Sequence, residues 1–181
     1  MAEYIKVYYK KFWDHAKEPT RATPYSVGSD LYSAFEYCLP KKEKVTIDTG
    51  IGVVIPLTYY GNLVSKSRLA HEHAIYVEAG AVDPDYTGPI FVILNNQGDE
   101  DYLVEQGEPI AQIIYQKMAL PIYEEIQNIP LTKRGNRGLG VADTDKQLSR
   151  PRSTTTKTSA TFTTTTTTST TVKTLKPPPG M

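Results

Sequence analysis

Cysteine is almost missing from this chain: Cys38 is the single one in 181 residues, so no disulfide can form within it. That suits a reducing compartment, and Cys38 itself reads as a small buried hydrophobe. Long apolar runs are missing too, since nothing approaches the ~18 consecutive apolar residues that a membrane helix needs. The opening stretch Met1 to Lys11 lacks the apolar centre of a secretory signal. The expectation is an intracellular protein, cytoplasmic or nuclear, with no membrane contact. No zinc signature is present either. His71-Glu72-His73 offers two histidines two residues apart, too sparse a set for a metal centre, and reads as a surface turn.

Net charge is formally zero, but the zero conceals a split. Of 20 basic and 20 acidic residues, five basic and no acidic ones fall in Gln147 to Met181, leaving 15 basic against 20 acidic before them. A mildly acidic body does not attract a polyanion, and five dispersed cations in the tail make a poor phosphate track, so nucleic acid is not an expected partner.

What is present is β-forming sequence. Short runs recur at Ile5 to Tyr9, Lys44 to Thr49, Ile51 to Ile55, Tyr60 to Ser65, Ile90 to Asn95 and Ile110 to Gln116, separated by Pro24, Gly28, Pro40, Gly50, Pro56, Gly61, Gly88, Gly98 and Gly107. Strands broken so regularly by turn residues predict an all-β sandwich or barrel. The one place for a helical turn is Leu69 to Ala74. Thirteen tyrosines supply half-buried packing surface, as they do in strands generally. After Lys146 the composition changes: Ser153 to Thr171 is nearly all threonine and serine, and the chain closes on Lys176-Pro-Pro-Pro-Gly-Met181. Such a segment cannot bury enough apolar surface to offset its chain entropy. Two regions are therefore expected, a folded domain over 1–146 and a disordered Thr/Pro-rich tail over 147–181.

The most informative stretch runs from Val77 to Gly88. Val77 and Ala79 to Val82 read as an incoming strand, Pro84, Asp85 and Gly88 as turn residues, and Ile90 to Leu94 as the outgoing strand. The expected hairpin sets Asp83 and Tyr86 three residues apart at its tip. Its backbone N–H and C=O groups could read the edge of a planar heterocycle as a neighbouring strand would.

Four other segments accompany this turn: Ala22-Thr-Pro-Tyr-Ser-Val-Gly28-Ser-Asp30-Leu31-Tyr-Ser-Ala34, Gly61-Asn-Leu-Val-Ser65-Lys66-Ser67-Arg68-Leu69-Ala70, Gln106-Gly107-Glu-Pro-Ile110-Ala111-Gln112-Ile113-Ile114, and Arg134-Gly135-Asn-Arg137-Gly138-Leu139-Gly140. In order and spacing, the five motifs from about Tyr4 to Gly140 resemble the trimeric dUTPase family. The resemblance implies a jelly-roll-like β barrel assembled as a homotrimer. Each active site would lie between subunits, with the first and third motifs near one chain and the arm carrying the fifth motif reaching over from another. It further implies hydrolysis of dUTP to dUMP and pyrophosphate, by a water that attacks the α-phosphorus.

In that resemblance Asp83 is the carboxylate that orients and deprotonates the water, a role that needs a fixed acceptor within ~3 Å. Asp85 is the nearby alternative, whose plainer reading is a turn residue. Tyr86 packs on the deoxyribose and leaves no space for a 2′-hydroxyl. Uracil is read by hairpin backbone between Val77 and Tyr86, Gly80 and Val82 included, a kind of site that rejects the wrong base through unpaired polar groups. Lys66 and Ser67 stand where the family has arginine and serine, and lysine keeps the charge without the planar two-pronged contact. Arg68 stands where glycine or serine is usual, as a solvent-facing charge or an added phosphate contact. Gln112 would bond phosphate oxygens or magnesium-bound water, Asp30 would order neighbouring groups, and Arg134 would meet the γ-phosphate. Mg2+ is the implied cofactor, carried chiefly by the triphosphate rather than by a protein cage.

The fifth motif departs from the family's pattern. Leu139 replaces the aromatic that stacks over uracil, a loss of about 0.5–1.5 kcal/mol. Val141-Ala142-Asp143 replace Ser-Thr-Gly, and two lost hydroxyl bonds to charged oxygens cost roughly 1.5–3 kcal/mol each. Together these remove about two to five powers of ten in catalytic efficiency. Two functions of different class are thus defined: a dUTP pyrophosphatase, slowed by its altered arm, or a dUTPase-like protein without turnover that acts through protein partners, with the tail as docking segment. Asp83, Tyr86, Gly80, Ser67, Gln112 and Arg134 favour the enzyme. A deoxycytidine-nucleotide deaminase of the same superfamily finds no matching motif.

Overall fold

A computed structural model describes residues 4–136. They contain eleven strands and one short helix, and every strand pairing is antiparallel. The all-β expectation therefore holds, in a jelly-roll-like arrangement of small sheets around one core. The largest sheet has the order β2 (Ser29–Tyr32), β11 (Pro109–Lys117), β6 (Tyr59–Ser65), β8 (Ala81–Val82). A second has β4 (Lys44–Asp48), β9 (Phe91–Asn96) and β7 (Ile75–Glu78). Two strand pairs complete the set, β1 (Tyr8–Lys11) with β5 (Ile51–Val54) and β3 (Tyr37–Leu39) with β10 (Tyr102–Val104).

Period-two alternation decides what is buried. In β9, Val92 and Leu94 turn inward and are 1% exposed or less, whereas Phe91 turns outward. In β11 a register shift between Pro109 and Ala111 interrupts the alternation, so Ile110, Ala111 and Ile113 are all fully covered, and they join Leu31, Leu39, Ile47, Ile51 and Val104 in a single core. Each such aliphatic side chain contributes about 1.5–3 kcal/mol by leaving water. The same alternation corrects the reading of Cys38. Its neighbour Leu39 takes the inward position in β3, so the thiol is exposed.

The helical turn expected at Leu69 to Ala74 is α1 (Ser67–His73). Buried Leu69 anchors it, and Ala74 ends it in the left-handed conformation, with its N–H bonded to the Leu69 carbonyl. His71, Glu72 and His73 lie on this helix rather than in a turn. The expected run Ile5 to Tyr9 forms a strand only from Tyr8 onward, while Ile5 and Val7 pack against the core as irregular chain.

Two compact units are distinguished, Met1 to Glu124 and Glu125 to Met181. In the second, the described residues are exposed and irregular, with one turn closed by the Gly135 N–H on the Thr132 carbonyl at 3.1 Å. The expected boundary at Lys146 and the tail lie outside the described residues.

Candidate functional site

Antiparallel register brings three motifs to one end of the largest sheet. Gln112 of β11 faces Asp30 of β2, and Ala111 faces Ser65, the last residue of β6 before Lys66. The side chains meet: Lys66 Nζ lies 2.7 Å from Asp30 Oδ1, and Gln112 Nε2 donates to the same oxygen at 3.1 Å. Lys66 and Asp30 are only 18% and 13% exposed, so the pair is shielded from solvent and fixed in place. Ser67 follows as the exposed first residue of α1.

Along β6 the sheet reaches the Asp83 turn. Gly61 pairs with Val82 in β8, four positions before Ser65, or about 14 Å at the rise of an antiparallel strand. Asp83 leads out of β8 into a turn closed by the Tyr86 N–H on the Asp83 carbonyl at 3.1 Å. Its side chain borders a cleft of about 220 Å³ lined by Leu63, Ala81, Val82, Tyr86 and Phe91 among others. The Tyr86 phenol folds back and donates to the Pro89 carbonyl at 2.8 Å. A Cβ on Gly88 would stand 2.7 Å from that phenolic oxygen, so the ring occupies the space that glycine leaves.

The expected hairpin is only half formed, and the difference is local. Val77 and Glu78 in β7 pair with Leu94 and Ile93 in β9, but Ala81 and Val82 leave for β6. Ala79 takes a left-handed φ of 52° between them and turns the chain across. Gly80 makes the crossing possible: a Cβ there would stand 2.5 Å from the Leu63 carbonyl oxygen, while the Gly80 carbonyl accepts the Leu63 N–H at 2.7 Å. The backbone next to Asp83 is thus braced against β6.

Arg68 is engaged away from the Lys66 pair. Its Nη2 donates to Glu108 Oε1 at 2.7 Å, and Nη1 lies 3.5 Å from Glu72 Oε2. Tyr102 donates to the same Glu108 oxygen at 2.6 Å, and His73 packs on the Tyr102 ring with centroids 4.6 Å apart. Burial, then the Glu108 carboxylate, hold the Tyr102 phenol above its ordinary pKa. Glu108 and Tyr102 went unnoticed as sequence, for partners in a β arrangement far apart along the chain leave no spacing signal. The same is true of Glu78, whose carboxyl is kept below the usual range by Lys44 at 2.6 Å and then by Asn95. Arg134 belongs to the second unit and sits in its Thr132 to Gly135 turn. Leu139 lies outside the described residues.

Among the described residues no group of three or more His, Cys, Asp or Glu side chains is gathered for a metal ion. No described helix is long and apolar enough to cross a membrane.

Fold and side-chain placement define a class: a jelly-roll-like β domain with a shielded Lys–Asp–Gln cluster and a carboxylate-edged cleft along one sheet. A family model described as dUTPase matches residues 14–142, and the chain belongs to that family. It is 43% identical over 141 residues to the deoxyuridine 5'-triphosphate nucleotidohydrolase of Fowlpox virus (strain NVSL), covering 76% of this chain and 96% of that protein. Against the Rattus norvegicus protein of the same name it is 41% identical over 127 residues, which is 70% of this chain. It spans 62% of the length of the rat protein and 54% of that of the mitochondrial Homo sapiens one. Among solved structures, a point mutant of the Staphylococcus bacteriophage 80alpha dUTPase with dUpNHpp superimposes with a TM-score of 0.71 at 23% identity, covering 76% of this chain and 98% of that one. A point mutant of the dUTPase from phage phi11 of S. aureus, described with a structural Mg(II) ion, gives a TM-score of 0.65 at 20% identity, over 69% of this chain and 99% of that one.

Proposed function

We propose that the chain hydrolyses dUTP to dUMP and pyrophosphate. The observation that carries this is the convergence of Asp30, Lys66 and Gln112, from three separate motifs, at one end of the sheet whose β8 strand presents Asp83. A cationic amine beside amide and hydroxyl donors fits phosphate oxygens. A carboxylate at the rim of a small apolar cleft fits a water held beside a nucleoside.

In this reading Asp83 aligns a water on the α-phosphorus and takes its proton as the new P–O bond forms. The bond from that phosphorus to the bridging oxygen breaks, and pyrophosphate carries away the electron pair. Lys66, Ser67, Gln112 and Arg134 hold the charged oxygens, and charge fixed before the reaction costs no reorganisation during it. Backbone at Gly80 and Val82 addresses uracil, Tyr86 covers the sugar, and Leu139 takes the place over the base. Mg2+ supplies charge neutralisation when bound. The oxygen donors of Asp30 and Gln112 suit contact through its waters, because magnesium keeps several waters and commonly arrives on substrate phosphates. The assembly is a homotrimer with shared sites, the folded domain ends near Lys146, and the Thr-rich tail is left for a protein partner.

The test is pyrophosphate release from dUTP, dCTP, dTTP and UTP with magnesium. Turnover of dUTP alone, abolished by Asp83→Asn, upholds the assignment. A well-folded trimer without turnover supports instead the reading in which the protein acts through partners.

A further inference from the structure

Arg68 lies in the first turn of a seven-residue helix, between Ser67 and the buried Leu69. The helix start has little of its own to fix it: Lys66 at the N-cap makes no side-chain capping hydrogen bond, and the first turn holds no acidic residue. So short a helix is held by tertiary contacts rather than by propensity. Arg68 makes such a contact, to a carboxylate that is itself immobile. Glu108 is 11% exposed at its side chain, and besides Arg68 it receives the Tyr102 hydroxyl at 2.6 Å and the Glu105 N–H at 3.2 Å. The Glu108 backbone is fixed as well, since its carbonyl accepts the Ser33 N–H at 2.9 Å. Ser33 is three residues past Asp30, and Gln112 is four residues past Glu108. One residue, Glu108, therefore ties the first turn of α1 through its carboxylate to the start of β11, and its backbone carbonyl holds Ser33 just past β2, so both strands that supply the Asp30 cluster are reached.

We infer that Arg68 is a positioning residue: through Glu108 it sets Lys66 and Ser67 against Asp30 and Gln112, and it does not itself bind the triphosphate. The inference rests on the dUTP reading above. Its guanidinium faces three oxygens, in Glu108, Tyr102 and Glu72, with the shortest contact, 2.7 Å, to Glu108, so its place is set by groups outside the Asp30 cluster.

The experiment is a double-mutant cycle on the full chain with dUTP and magnesium, using Arg68→Gln, Glu108→Gln, both together, and Arg68→Lys. A positioning role predicts a roughly tenfold fall in kcat for either single variant with KM nearly unchanged, and a double variant no worse than the poorer single one. Arg68→Lys restores most of the rate, because one N–H···O contact to Glu108 carries the link. A direct phosphate contact predicts otherwise: Arg68→Gln raises KM, Glu108→Gln leaves kcat and KM as in the wild type, and that pair of results overturns the inference. Additive losses in the double variant overturn it equally. If the unsubstituted protein releases no pyrophosphate, the dUTP reading fails first and the inference with it, a result visible before any variant is made.

Discussion

Lys66 and Asp30, 36 residues apart in sequence, form an ion pair of 2.7 Å whose partners are less than one-fifth exposed, and Gln112 completes it from a third strand. Replacing Asp30 by asparagine keeps the shape but leaves the ammonium without its counter-charge in a shielded place. The expected cost is about 1–3 kcal/mol of stability, read from urea or guanidinium unfolding. Turnover of dUTP falls as well, because Lys66 loses the contact that aims it. An Asp30→Asn protein that unfolds like the parent would show the pair to be incidental.

Two glycines at the Asp83 turn separate fold from selectivity. Gly80→Ala drives a methyl to 2.5 Å from the Leu63 carbonyl, a backbone atom that cannot swing aside. The expected result is a loss of about 1–3 kcal/mol with detachment of β8 and of catalysis. Gly88→Ala meets instead the phenolic end of Tyr86, which can rotate out. That variant should melt like the parent and, if Tyr86 covers the sugar as proposed, discriminate dUTP from UTP roughly tenfold less well. Melting curves and the two kcat/KM values together decide the matter.

The sheet-forming runs at Lys44, Ile51, Tyr60, Ile90 and Ile110 were legible because short β-forming runs bounded by glycine, proline and other turn residues are enough to place a strand. Ser29–Tyr32, Tyr37–Leu39 and Tyr102–Val104 were not, being only three or four residues long, too short for a pattern to show. The Val77 to Val82 segment read as one strand, since no propensity scale foresees that Ala79 adopts a positive φ. Its turn is set by the close passage of Gly80 beside Leu63, a tertiary fact. Similarly, motif order named Asp30, Lys66 and Gln112 individually, but only antiparallel register makes them one cluster. Arg68 shows the converse. Sequence left it between solvent and phosphate, and the partner that holds it, Glu108, lies 40 residues away.

Removal of the tail tests the domain boundary. Truncation after Lys146 takes away a segment with almost no core-forming residues, so the melting temperature should stay within about 2 °C of the full chain's and the rate of dUTP hydrolysis within about twofold. A large drop in either would assign the Thr-rich segment to the folded enzyme rather than to a partner.

Tyr115 provides a pH test. It lies in β11, and burial pushes its pKa up to about 12 from an ordinary value of 10. The folded state therefore holds the phenolic proton more tightly than the unfolded chain does. Its neutral form contributes fully below pH 10, and the contribution disappears as pH rises through 10 toward 12. A shift of two units corresponds to about 2–3 kcal/mol at most. Other tyrosines and the lysines titrate over the same range, so the informative quantity is the difference between the parent and Tyr115→Phe. Phenylalanine keeps the ring in its packing but has no proton to lose. The variant's denaturation midpoint should thus decline less steeply than the parent's between pH 10 and 12, with the two differing little in slope below pH 9. Parallel curves across the whole range would mean that the hydroxyl reaches solvent in the assembled protein.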